Sequence, residues 1–167
     1  MNREDICIRP PTSGELGSLH ELARGSGEVP QWSRSDYETL LTQTPGRKRK
    51  VLLAEARGAI AGFAVAANIV EASPGSPPAP PEWELEIILV SQDARRNGLG
   101  LRLLRQLVRH AERGVGGKMF LEVRQSNLAA RSLYEKAGFT SCGLRRGYYH
   151  LPEEDAIIYQ FLFAEKS

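Results

Sequence analysis

The chain reads as an α/β protein, a mixed β-sheet with helices packed on it, folded as a single domain over residues 1–167. Three observations predict this. The stretch WELEIILV (83–90) alternates as a strand does, and after the polar break SQDA the run RRNGLGLRLLRQLVRHAER opens a helix. Strand and helix signals follow one another in the order β-α-α-β-β-β-α-β-α-β-β, which gives a mixed sheet covered by helices. At 167 residues, 41% hydrophobic and 25% charged, the chain has the length and composition of one globular unit with one core.

Residues 5–11 (DICIRPP) make a short strand stopped by Pro10 and Pro11. A helix then runs from Ser13, which can cap it, to Arg24, with Leu16, Leu19, Leu22 and Ala23 on one face. Gly25, Gly27 and Pro30 break it. The loop GEVPQWS carries Trp32, which fits either a substrate contact or a hydrophobic anchor. A second helix starts at Ser33 or Ser35, passes Tyr37, Leu40 and Leu41, and stops at Pro45. The basic run Arg47, Lys48, Arg49, Lys50 reads as a solvated loop. Residues 51–57 and 60–70 form two strands joined in a hairpin at Gly58. Residues 72–81, rich in Pro, Ser and Gly, make a flexible or polyproline-like loop, with too little chain on either side for independent cores.

In the strand that follows, Leu85, Ile87 and Leu89 face one way and Glu84, Glu86, Ile88 and Val90 the other. The next helix carries Leu103, Leu104, Leu107, Val108 and Ala111 as a core-facing stripe and ends at Gly114, Gly116 and Gly117, a left-handed cap region. KMFLEVR (118–124) is a strand and 127–137 a helix closed by Gly138. Residues 140–150 and 155–163 supply the last two strands.

Composition excludes several classes of function. A net charge of +2 argues for neither nucleic acid nor a membrane surface as partner. No apolar run has the length of a membrane span, and MNREDICIRP has no signal-peptide core, so the expected location is the cytoplasm. The two cysteines, Cys7 and Cys142, are far apart and lack a histidine set, which argues against a disulfide framework, a zinc site or any other metal centre.

The chemistry concentrates at Arg95, Arg96, Asn97, Gly98, Leu99, Gly100 and Leu101. The first amides of a helix lack intrahelical partners and sit at the positive end of its dipole. Glycines let an anion approach the backbone, and neighbouring guanidinium groups add charge-assisted hydrogen bonds. The arrangement suits a pyrophosphate, although a glycine-permitted turn beside solvated arginines gives the same letters. No Gly-Lys-Ser/Thr follows, which rules out a nucleotide-hydrolysing P-loop. Leu103 stands where the dinucleotide fingerprint needs its third glycine.

Arg-x-x-Gly-x-Gly after a strand resembles the acetyl-CoA signature of the GCN5-related N-acetyltransferase (GNAT) family. The runs LEVRQSNLAARSLYEKAGF and RRGYYHLPEEDAII further resemble its RimI-type subgroup, which acetylates the N-terminal alanine of a ribosomal protein. The resemblance is strong from about Leu85 to Ile158, with departures at Ile87, where that subgroup often has Asn, at Asn97, often a basic residue, and in the Pro-rich loop.

It implies a GNAT fold and acetyl-CoA as cosubstrate, with no metal. The acceptor would be a protein or peptide N-terminus, a ribosomal protein among the choices; oligomeric state is left open. The pantetheine arm would pair with the backbone of Ile88, Leu89 and Val90 and bond to Asn127, which can also simply cap its helix. Glu122 would be the general base and Tyr134 the acid that protonates the departing thiolate. Glu122 stands out without the resemblance, because a carboxylate inside an apolar strand needs either a guanidinium partner or a catalytic task. Tyr134 is by default a core aromatic in the row Ala130, Leu133, Tyr134, Ala137. Glu84 is a second candidate base.

An α-amine has a pKa of about 7.7–8.0 and lysine about 10.4, so deprotonating lysine at neutral pH costs roughly 3.5 kcal/mol more. One glutamate acting through water suits the easier task. A small-molecule amine acetyltransferase, a non-catalytic CoA-binding module and an interaction domain remain as other readings.

Overall fold

The structure, a computed structural model, describes residues 6–42, 47–69, 75, 79–112 and 114–165. The helix stop at Pro45 and most of the Pro-rich loop lie outside them. The elements are β1 (Ile6–Arg9), α1 (Leu16–Ser26), α2 (Arg34–Glu38), β2 (Lys48–Ala56), β3 (Ala59–Asn68), β4 (Glu82–Val90), α3 (Leu99–Ala111), β5 (Lys118–Arg124), α4 (Leu128–Ala137), β6 (Thr140–His150) and β7 (Glu153–Leu162). The strands form one sheet in the order β1-β2-β3-β4-β5-β7-β6. Only β4 and β5 run parallel among its neighbouring pairs. That is the mixed sheet the sequence predicts.

Several boundaries move for local reasons. Thr12, not Ser13, caps the first helical turn: its amide and hydroxyl both bond to Glu15, at 2.8 and 3.0 Å. The second helix is one short turn, capped by Ser33 through Asp36. Lys48, Arg49 and Lys50 lie inside β2 rather than in a loop. Helix α3 ends at Ala111 with an extended Glu112, so Gly114, Gly116 and Gly117 keep positive φ but serve the connection beyond the helix instead of capping it.

Two apolar clusters cover the two faces of the sheet. One joins α3 and α4 to the sheet through Leu99, Leu103, Leu104, Leu107, Leu121, Val123 and Tyr134. The other joins α1 and α2 through Leu16, Leu19, Tyr37, Leu53, Phe63, Ile87 and Leu89. Strand β4 serves both, because it carries an extra residue. Ala66 pairs with Leu85 and Val65 with Ile87, which leaves Glu86 as a β-bulge. Trp83 and Leu85 therefore face α3, whereas Ile87 and Leu89 face α1. The expectation that Leu85, Ile87 and Leu89 share a face fails here. Glu86 tolerates the position, its side chain 5% exposed, because both Arg47 and Arg49 bond to its carboxylate.

The bulge lies next to the place where the sheet opens. Strands β4 and β5 pair only from Glu82–Lys118 to Glu84–Phe120. Beyond that point β4 pairs with β3 and β5 with β7, leaving a cleft between the far halves of the two strands.

The hinge of this cleft is Gly117, with φ of +103°. A Cβ there would overlap the Pro81 carbonyl oxygen, which accepts the Lys118 amide at 3.0 Å. Gly117→Ala should cost about 2–4 kcal/mol of stability through strain and steric overlap. A melting curve should show Tm lower by roughly 5–15 °C for a domain of this size.

Candidate active site

The glycine turn follows β4 directly. Residues Gln92–Ala94 make a 3₁₀ turn, Arg96 and Gly98 adopt positive φ of 63° and 73°, and α3 begins at Leu99. The Arg102 amide bonds to the Gly98 carbonyl at 3.1 Å, so the amides of Leu99, Gly100 and Leu101 come before the intrahelical ladder. Among the described residues, nothing beyond Gly98 and its two chain neighbours lies within 4 Å of where a Gly98 Cβ would stand, whereas a Cβ on Gly100 would touch Leu133 and Val90 at ordinary distances of 3.5–3.7 Å. The turn is thus an open cradle of amide donors at a helix N-terminus, which fits an anionic phosphate group.

Its side chains contribute unequally. Leu99 is buried in the core, so only its backbone faces the turn. Leu101 packs on the same cluster. Asn97 donates to the Arg95 carbonyl at 3.2 Å. Arg96 is exposed. Arg95 is committed elsewhere: its Nε donates to the Val90 carbonyl at 3.0 Å, and its other nitrogens grip both oxygens of Glu28, in the loop after α1, at 3.0 and 2.5 Å. A groove of about 260 Å³ runs beside it, lined by Leu22, Ser26, Leu89, Val90, Gln92 and Arg95 among others.

Glu122 stands across the cleft on β5. The strand alternates as expected, with Met119, Leu121 and Val123 buried toward α3 and α4 and Phe120, Glu122 and Arg124 on the opposite face. The guanidinium partner of Glu122 is Arg145 of β6, whose Nε lies 2.9 Å from Oε1. Arg124 instead pairs with Glu154 at 3.4 Å and stacks over the Tyr149 ring at 4.1 Å. The nearby Glu122 carboxylate, with burial, raises the pKa of the Tyr148 phenol. Glu84 lies near enough to feel the charges of both Glu122 and Arg145; burial and the like charge of Glu86 hold its carboxyl above the ordinary range.

Tyr134 lies on the α4 side of the sheet, packed 6.1 Å from the rings of both Phe139 and Tyr159. Burial pushes its phenol well above the ordinary value, with a smaller contribution from Tyr149. Asn127 caps α4, its Oδ1 accepting the Ala130 amide at 3.1 Å.

Trp32 is an anchor, packed against the α1–α2 cluster, 5.9 Å from the Tyr37 ring and under the Arg49 guanidinium. It also borders a hollow of about 230 Å³ with Asp36, Thr39, Arg47, Arg49 and Glu86. Sequence reasoning did not single out Arg145 as the partner of Glu122. The available signal was the RRGYY run inside a strand, where charged and aromatic side chains share one edge.

Residues 16–139 match the model of the acetyltransferase (GNAT) family. Over 77 residues the chain is 44% identical to N-alpha-acetyltransferase RimI of Mycobacterium tuberculosis, covering 46% of this chain and 47% of that protein. Over 103 residues it is 38% identical to the [ribosomal protein bS18]-alanine N-acetyltransferase of Escherichia coli strain K12, covering 60% of this chain and 63% of that one. The matches therefore span about half to three-fifths of these curated relatives. The crystal structure of the ribosomal-protein-S18-alanine N-acetyltransferase from Escherichia coli superposes with a TM-score of 0.76 at 29% identity, covering 97% of this chain and 96% of that one. Arabidopsis thaliana NAA60 in complex with a bisubstrate analogue shares the fold, with a TM-score of 0.81 at 16% identity over 96% and 99% of the two chains.

Proposed function

This chain belongs to the GNAT acetyltransferase family, and from that premise we propose that it is an acetyl-CoA-dependent N-acetyltransferase acting on the N-terminal α-amine of a protein, carried on a single domain over residues 1–167. The observation that carries this reading is the cleft between β4 and β5, with an amide-lined turn at one end and a carboxylate on its wall. The relatives named for ribosomal protein bS18 support a ribosomal-protein N-terminus as acceptor, and with it a cytoplasmic site of action.

Acetyl-CoA supplies the activated acetyl group. The backbone of residues 96–101 holds its pyrophosphate, Arg95 stands at the edge of that turn, and the exposed edge of β4 at Ile88, Leu89 and Val90 guides the pantetheine arm with Asn127 opposite. Glu122 takes a proton from the acceptor amine through water, and Tyr134 returns one to sulfur. No covalent enzyme intermediate is needed. Acetyl-CoA turnover on a panel of N-terminal alanine peptides, lysine peptides and small amines tests the acceptor class. Preference for the α-amine is expected, and preference for a free small amine would overturn the reading.

Tyr134→Phe separates the acid from the ring. The contacts with Phe139 and Tyr159 are kept, so stability should change by no more than about 1 kcal/mol. A thiolate with a pKa near 8.5 leaves tolerably unaided, which limits the fall in kcat to roughly 10–10³-fold. Because burial raises the phenol's pKa, the wild-type rate should hold its plateau beyond pH 10 rather than decline there. Full kcat in a stable Tyr134→Phe protein would reduce Tyr134 to a core aromatic.

A further inference from the structure

Arg145 reaches Glu122 from the edge of the sheet. Strand β7 runs between β5 and β6, with Ala156 opposite both Arg124 and Arg145 and Ile158 opposite Glu122, so the Arg145 side chain reaches diagonally across β7. The β6–β7 ladder slips between Arg145 and Tyr149, where two extra residues and a positive φ at Gly147 interrupt the pairing. Arg145 holds the Glu122 carboxylate while its guanidinium lies 5.5 Å from the Tyr148 ring beyond that irregularity.

The two ends of this ion pair differ in exposure. The Glu122 side chain is 16% exposed and the Arg145 side chain 56%. A largely enclosed carboxylate needs a cationic or donor partner at all times, whereas a half-exposed guanidinium gains little from the pair and returns to water easily. The ammonium of a peptide N-terminus brings the same charge and the same kind of donor to Oε1. Building on the base assignment above, we propose that Arg145 is the counter-ion that the acceptor's α-ammonium displaces from Glu122, a positioning residue that sets acceptor binding. Exchange of one cation for another leaves the charge of the site unchanged, so the acceptor enters protonated and gives up its proton only once it is in place.

Among the described residues, the charged and titratable groups coupled to Glu122 are Glu84 from β4, Arg145, Tyr148 and Tyr149 from β6, and, through Tyr149, Arg124 of β5 and Glu154 of β7. Arg145 is the cation in direct contact.

The test is Arg145→Gln, assayed with an N-terminal alanine peptide at saturating acetyl-CoA, with Tm as control. Acceptor KM should fall about two- to five-fold with kcat little changed, the range of an exposed ion pair. Arg145→Lys should restore KM toward wild type. A fall in kcat with KM unmoved would mean that Arg145 stays in the reacting complex, and would overturn the proposal, as would no change at all. Combined with Glu122→Gln, the KM effect should vanish, because a neutral amide has no counter-ion to lose; its persistence would also overturn the proposal. Wild-type turnover by Glu122→Gln alone would remove the base assignment instead.

Discussion

Glu122→Gln should lower turnover about 10²–10⁴-fold while acetyl-CoA binds with its wild-type affinity. The amide keeps the size of the side chain and an oxygen that can still accept from Arg145 Nε, so the β5–β6 contact and the local backbone have no reason to move. Only the capacity to take a proton is lost. Steady-state kcat alongside calorimetry with acetyl-CoA separates the two quantities. Glu84→Gln is the necessary companion. Glu84 shares the α1–α2 face with Glu122, and burial and Glu86 hold its carboxyl above the ordinary range, which makes it a plausible proton acceptor in its own right. If Glu84→Gln abolishes turnover and Glu122→Gln does not, the base lies on β4.

The second large effect is expected at the glycine turn. Gly98→Val should weaken acetyl-CoA binding about 10²-fold or more with the fold intact. At φ of 73° a β-branched residue costs about 1–2 kcal/mol of backbone strain, which should appear as a Tm lower by a few degrees. The affinity loss has a different origin: Gly98 is the N-cap of α3, and a β-branched residue that resists its positive φ disturbs the turn that presents the free amides to an anion. Gly100→Ala is the control, since its Cβ meets Leu133 and Val90 at ordinary contact distances and leaves the mouth of the turn open. Unchanged acetyl-CoA affinity in a folded Gly98→Val protein would refute the phosphate reading.

The element order and both helix stripes were legible in the sequence because they depend on local periodicity. The stripe Leu103, Leu104, Leu107, Val108, Ala111 is buried as written, and Asn127 and Gly138 cap α4 at its two ends. The charged side chains of the site were less legible, because their partners are distant along the chain. Arg95 looked like a phosphate ligand and is held by Glu28, 67 residues away. The basic run at 47–50 looked solvated, yet Arg49 closes on Glu86, 37 residues on. The bulge at Glu86 left no trace in the alternation of WELEIILV, since the later half of β4 is covered on both faces and every second residue stays buried on either side of the slip.

The slip in β6 has a bearing on how the molecule behaves in a crowd. Strand β6 is eleven residues long, forms an edge of the sheet and is exposed over most of its length. Such an edge offers a row of open amides and carbonyls on which a strand from another copy can nucleate, the first step toward fibrous association. Here two adjacent arginines, Arg145 and Arg146, put like charge on that row, and the extra residues before Tyr149 break its spacing. A regular strand cannot lie along it in register. Arg145, which pairs with Glu122, therefore also helps guard the sheet against growing past β6.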